Sequence, residues 1–320
     1  MIAPRHIPVL ITAALFAALF LLGSLQYDGF ASLSVFLNLF TDNAFLAVTA
    51  IGMTFVILSG GIDLSVGAVI AFTGVLTAVL IQQGWPIYVV FPLVVAIGSA
   101  FGAAMGALIH YYRLQPFIVT LAGMFLMRGL AVVVSERSVP IENGVYDAIN
   151  AAGVMLPGRG FIGAQALILA VVLAGAVILA HYRRFGTYVY AIGGNAESAK
   201  LMAVPVAQTT IGIYALSSFL AALAGIMFSF YTSSGYALAG LGLELDAIAA
   251  VVIGGTLLTG GSGYVLGTLV GVMLMGLVQT YIAFNGSLNS WWTKIVIGVL
   301  VLVFVCLQRL QGARKSKPAG

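Results

Sequence analysis

The stretch that decides the fold is Gly52–Phe72, GMTFVILSGGIDLSVGAVIAF. Both flanks are apolar without a polar face, yet the middle, Ser59 to Ser65, reads SGGIDLS and carries a carboxylate at Asp63. A helix apolar all round is buried in a core or in lipid. The pair Gly60-Gly61 gives such a helix a place to break, because glycine accepts backbone conformations that other residues avoid. The pattern therefore predicts two helices around a break, with Asp63 or Ser65 accepting hydrogen bonds from free amides where the second helix restarts near Leu64. Capping is the favoured reading of Asp63; contact with a solute or with a moving neighbour is the alternative.

Outward from this stretch the whole chain has the same character. Of 320 residues, 62% are hydrophobic and 7% charged, too little polar surface to cover a soluble domain of this size. Apolar runs near the roughly 18 to 20 residues that cross a hydrocarbon core recur along the chain. They predict an all-α, polytopic helical bundle occupying residues 1–320 as one domain, with about ten spans near 7–25, 43–58, 66–82, 88–109, 117–135, 163–181, 209–231, 246–258, 264–284 and 290–308. Arg5 and His6 precede the first run, but no A-x-A-like cleavage site follows, so it reads as a span and not as a signal peptide.

Lys and Arg placement gives the orientation. With the N-terminus inside, Arg5, Arg113, Arg183, Arg184, Lys200, Arg309, Arg314, Lys315 and Lys317 fall on the inner side, against Arg137 and Arg159 outside. Both termini are expected in the cytoplasm, the second as a basic tail over 309–320. Arg128 and Lys294 fall within spans, where Arg128 is expected to pair, line a cavity or snorkel. The net charge of +4 follows from this topology and does not indicate nucleic acid, since no stripe of basic and aromatic residues is present.

A second glycine-broken segment, Gly254–Gly271, reads GGTLLTGGSGYVLGTLVG. Gly52 with Thr54 and Gly254 with Thr256 lead into Ser-Gly-Gly and Thr-Gly-Gly, and Gly67 and Gly267 follow. Paired interrupted segments in two halves of a chain point to discontinuous helices beside a transport pathway. A third glycine pattern, Gly98, Gly102 and Gly106, predicts close helix packing within the bundle or between subunits. The longest inner loop, about 182–208, holds Gly193, Gly194 and Asn195, the last able to cap a short helix bearing Ala196, Ala199 and Ala203 before Pro205. Such a helix suits a groove on a soluble partner, or simply lies along the membrane. The outer loop from Glu136 to Ile162 reads as a solvated connection.

Enzyme chemistry finds little support. Gly260-Gly261-Ser262-Gly263 matches the G-x-S-G of intramembrane serine proteases, but His6, His110 and His181 lie far upstream and no histidine follows Ser262. Asp63 is the only acid clearly inside the apolar register, whereas Glu244 and Asp246 sit at an expected helix start. There is no H-E-x-x-H zinc motif, and the absence of any Gly-Lys pair rules out a Walker A loop. Cys306, the single cysteine, is expected as a small buried hydrophobe. No metal or cofactor is expected on this chain, and ATP hydrolysis would have to come from another one. A passive channel, a self-driven carrier and a subunit of a larger machine stay open, although the scarcity of buried acids and histidines disfavours an ion-coupled carrier.

Three segments carry a family resemblance: TDNAFLAVTAIGMTFVILSGGIDLSVGAVIAFTGV, YAIGGNAESAKLMAV and ELDAIAAVVIGGTLLTGGSGYVLGTLVGV. The chain resembles, over nearly its whole length, the inner-membrane permeases of bacterial ABC importers for monosaccharides, the ribose, xylose and galactose group. TYIAFNGSLNSWWTKIVIGVL and SERSVPIENGVYDAI are similar to permeases of galactofuranose importers. The resemblance implies alternating access, a second similar permease, a periplasmic sugar-binding protein and a cytoplasmic ATPase with two nucleotide-binding domains that holds the ATP and Mg. It places the coupling element on Gly193, Gly194, Asn195, Ala199 and Leu201, and the translocation pathway beside Ser59, Gly60, Gly61, Asp63, Ser65, Thr259, Gly260 and Gly261. Ala203-Val204 departs from the small pair usual after that element. Trp291 and Trp292 read as interfacial anchors.

Overall fold

The computed structural model describes residues 7–156, 160–289 and 291–315. Arg5, His6, Arg159 and the tail beyond Lys315, used above for orientation, lie outside them. The helices in chain order are α1 Ile7–Gln26, α2 Leu33–Asp42, α3 Ala44–Leu58, α4 Val66–Gln82, α5 Ile87–Tyr111, α6 Pro116–Val134, α7 Gly144–Ala151, α8 Ala164–His181, α9 Arg184–Gly194, α10 Ala196–Leu201, α11 Val206–Thr232, α12 Leu243–Ile253, α13 Val265–Asn285 and α14 Trp291–Lys315. Short antiparallel pairs join β1 Val139–Pro140 to β4 Ser234–Gly235 and β2 Gly153–Leu156 to β3 Gly160–Gly163.

All ten expected apolar segments are helical, but ten full crossings are not. Among the described residues seven helices are long and apolar enough to span a membrane, and an eighth span results if α2 and α3, bent by 54° at their junction, count together. The shortfall lies at the glycine-broken segments. There α4 has 17 residues and α12 has 11, and even the former is only about 25 Å long against a core of about 30 Å.

Helix α3 is the axis of the bundle. Every residue in it except Phe45 is buried, as its unbroken apolar composition requires. It packs antiparallel to α13: Leu58 accepts from the Gly261 amide at 2.9 Å near one end, Thr54 and Thr268 share a buried hydroxyl hydrogen bond of 2.7 Å midway, and Asn43 meets Gly276 at the other end. On the far side α11 packs against both α3 and α5. Gly98, Gly102 and Gly106 form that α5 contact, where an added Cβ would collide with Ala222, Ser218 or the Ile211 backbone. The stripe thus packs within the bundle.

Two expectations are corrected. The segment from Glu136 to Ile162 is not a plain solvated connection, because α7, capped by Asn143, drives Tyr146 into a small core with Phe230 and Phe91. Its Tyr hydroxyl pairs with Ser229 of α11. Alternating charges had hidden one buried aromatic. Cys306 is exposed and not buried, since α14 lies at the periphery and turns that face away from the bundle.

Candidate functional site

The two broken segments and the long loop meet in backbone contact at one end of α3. Gly60 and Gly260 both have left-handed backbones, with φ of +83° and +84°, and glycine is the residue that takes this conformation without a steric cost. A Cβ on Gly260 would stand 2.8 Å from the Gly60 amide nitrogen and 3.0 Å from the Gly193 carbonyl oxygen. One on Gly193 would collide with the Leu58 carbonyl oxygen and with the Gly261 nitrogen. Tyr190 of α9 completes the joint by donating to the Gly263 carbonyl at 2.7 Å. Burial, with the Tyr264 phenol nearby, pushes the Tyr190 hydroxyl up to about 12, so it stays a neutral donor at physiological pH. Gly60, Gly193, Gly260 and Gly261, expected in two separate places, form one joint. Gly194 packs differently: a Cβ there would meet nothing within 4 Å.

Asp63 belongs to a second neighbourhood. It is fully buried and accepts three hydrogen bonds, from the Ser65 amide at 2.9 Å, the Ser65 hydroxyl at 2.6 Å and the Ser217 hydroxyl of α11 at 2.8 Å. The restart comes at Val66, with Ser65 in the capping position but making no side-chain cap of its own. Asp63 is therefore not the helix cap: it accepts from the capping residue itself, shaping the turn into α4, and ties that turn to the neighbouring helix α11. Gly61 leaves the space that the Tyr214 hydroxyl occupies. Ser59 closes α3 by donating to Val56 O at 2.7 Å, and Thr259 is exposed opposite Gly60.

Beyond the joint, Asn195 caps α10 as expected, accepting from the Ser198 amide at 2.8 Å. Ala199 is fully buried beneath that helix while Leu201 is 89% exposed. A large apolar side chain is thus held outward on a short, fixed helix next to the glycine joint.

A family described as "Branched-chain amino acid transport system / permease component" matches residues 35–305. The chain belongs to this permease family. It is similar to the inner membrane ABC transporter permease protein YjfF of Escherichia coli (strain K12), with 56% identity covering 98% of this chain and 96% of the relative. It is also similar to the fructose import permease protein FruG of Bifidobacterium longum, at 40% identity over 95% and 91% of the two chains. The ribose import permease protein RbsC of Haemophilus influenzae shares 37% identity over 89% and 88%. No solved structure matches the chain.

The permease is a transport component and not an enzyme. Its fold does bring His181 and Ser262 to the same pocket, of about 290 Å³ beside the joint, which sequence distance had concealed. No hydrogen bond joins the two side chains among the described residues, and the serine lies within the glycine joint itself. Arg128, half-buried on α6, resolves as a pairing residue: its Nη1 donates to the carbonyls of Ala237 and Ala239, each at 2.7 Å. Sequence reasoning missed Tyr190, Tyr214 and Ser217. For Ser217 a signal existed, since Ser217-Ser218 is a polar pair inside the otherwise apolar middle of α11.

Proposed function

We propose that the permease is the membrane subunit of an ATP-driven importer that moves a monosaccharide, galactofuranose by resemblance, across a bacterial inner membrane by alternating access. The observation that carries this reading is the 56% identity to an inner membrane ABC transporter permease over 98% of the chain. Relatives named for ribose and fructose import support the sugar class, and the segments quoted above support galactofuranose. The partners are a cytoplasmic ATPase, a second permease subunit and a periplasmic binding protein, and both termini face the cytoplasm.

In this reading α10 docks on the ATPase through Leu201, with Asn195 and the buried Ala199 fixing its pose. Displacement of α10 passes along α9 to Gly193, and from there to both helix breaks at once. Ser59, Gly60, Gly61, Thr259, Gly260 and Gly261 act as the hinge at that end of the pathway, while Asp63 and Ser65 hold α4 to α11 as the hinge moves. ATP binding and a loaded binding protein bias the two packings through such a bistable element.

Reconstituting the permease with its partners in liposomes tests this. Labelled galactofuranose should accumulate only with ATP and the binding protein present. Asn195→Pro, which removes the α10 cap and the Asn195 amide bond to Ala191 of α9, should abolish copurification with the ATPase while the chain still inserts. Passage of sugar through the permease alone, without ATP, would overturn the reading in favour of a passive channel.

A further inference from the structure

At the end of α3 remote from the glycine joint lies a cleft of about 480 Å³, beside a second cavity of about 330 Å³ with which it shares the lining residues Asn43, Leu46, Asp246 and Gln279. It opens where α2 and α3 are bent by 54°, with Asp42 ending one helix and Asn43 starting the next. Gly276 of α13 makes room there, because a Cβ would strike the Asn43 amide. Discontinuous helices whose ends meet a cavity are the form that solute sites take in transporters.

The walls have two chemistries. One is aromatic: Phe45 and Phe228 stand edge to face with ring centres 5.0 Å apart, and Tyr231 lies 6.1 Å from Phe45. The other is polar, with the carboxamides of Asn43 and Gln279 and the carboxylates of Asp42 and Asp246. Small-molecule sites combine apolar, aromatic walls with a few placed polar groups in just this size range. Amides and carboxylates match hydroxyl groups, which both donate and accept, while aromatic faces suit the C–H surface of a sugar ring. Against Asp42 and Asp246 stands one cation, Lys294, which bonds both carboxylate oxygens of Asp246 at 2.6 and 2.7 Å. That leaves an excess negative charge, unfavourable to anions. By contrast, the groove of about 410 Å³ between α1, α13 and α14 is walled almost wholly by hydrocarbon and offers nothing to a hydroxyl.

We infer that this cleft is a binding site for a neutral monosaccharide, selecting against sugar phosphates and sugar acids. The inference rests on the import reading for the choice of solute. It places the site inside one permease chain, at the opposite end from the joint.

The test puts a thiol in the cleft. Gln279→Cys, at an exposed position, is made in a Cys306→Ser chain and assembled with its partner subunits. Labelling by a charged maleimide is timed with D-galactofuranose, D-ribose, D-fructose or D-glucuronate added, and import of the same four compounds is measured in parallel. At about ten times the dissociation constant, a bound neutral sugar should slow labelling about tenfold, and glucuronate should have no effect. A thiol at Val145, 60% exposed on α7 and outside the cleft, should label equally fast throughout. Import of a neutral sugar without protection at position 279 would overturn the cleft assignment, as would protection by glucuronate. Protection without import would uphold the cleft and overturn the import reading. Neither protection nor import would overturn both.

Discussion

The two ends of α3 are built on opposite principles. At the Leu58 end, three chain segments touch backbone to backbone through Gly60, Gly193, Gly260 and Gly261, with no side chain to yield. At the Asn43 end, helices stand apart around a cavity, and contact is made by side chains that can rotate. Fifteen residues of almost wholly buried helix, about 22 Å, separate them. A rigid rod with a fitted joint at one end and an adaptable cleft at the other can transmit displacement without letting the cleft dictate it. The joint should therefore be intolerant of the smallest change, and the cleft should change selectivity before it changes stability.

The largest expected effect comes from breaking the joint by one methyl group. Gly193→Ala drives a Cβ into the Leu58 carbonyl, and overpacking against fixed structure costs about 1–3 kcal/mol or more. Uptake should be lost and the thermal midpoint of the purified complex should fall. Gly194→Ala is the control, with open space at the same atom and a change within about 0.5 kcal/mol, as for other surface substitutions. Equal behaviour of the two variants would dissolve the distinction between the two ends of α3.

A smaller effect is expected at Asp63, which belongs with the joint because it fixes the turn after Gly60-Gly61. Asp63→Ala leaves three donors, the Ser65 amide and the Ser65 and Ser217 hydroxyls, without their acceptor; the buried amide, which cannot turn away, costs about 1–3 kcal/mol when left unpaired, whereas the hydroxyls can rotate toward other acceptors. Asp63→Asn keeps an acceptor for Ser65, and its amide can donate to Ser217 once that hydroxyl turns. Asparagine should therefore keep most uptake and most thermal stability, and alanine should lose both. Equal loss in the two variants would mean that the charge itself is used.

How much of this was legible in the sequence depends on the range over which each feature is determined. Local signals read well: the break at Gly60-Gly61, the break at Gly260-Gly261, the Asn195 cap and the α5 glycine stripe all follow from neighbours a few residues away. Helix α2 and the bend at Asn43 were missed because Leu33 to Asp42 is too short to register as a span. The meeting of Gly193 with Leu58 and Gly261 was out of reach. It joins segments far apart in the chain, and helices apolar on every side, such as α3, present no polar face from which a neighbour could be deduced. The cleft was hidden for the same reason, since its aromatic and polar walls come from α2, α3, α11, α12 and α13.

The smallest effect should come from the cleft end, at Lys294. Its pair with Asp246 is short, but the lysine side chain is 51% exposed and the aspartate 23%, and exposed pairs contribute about 0.2–1 kcal/mol. Lys294→Ala should leave the thermal midpoint nearly unchanged, with the remaining difference shrinking in about 1 M salt, where the screening length is about 3 Å. The consequence should appear in selectivity instead. With its one cation gone the cleft is more negative, so any residual competition by an acidic sugar should weaken while competition by neutral sugars persists. A large loss of stability would mean that Lys294 clamps α14 to α12 as tightly as Gly193 fits Leu58, and the cleft would then be a second joint and not the adaptable end of the rod.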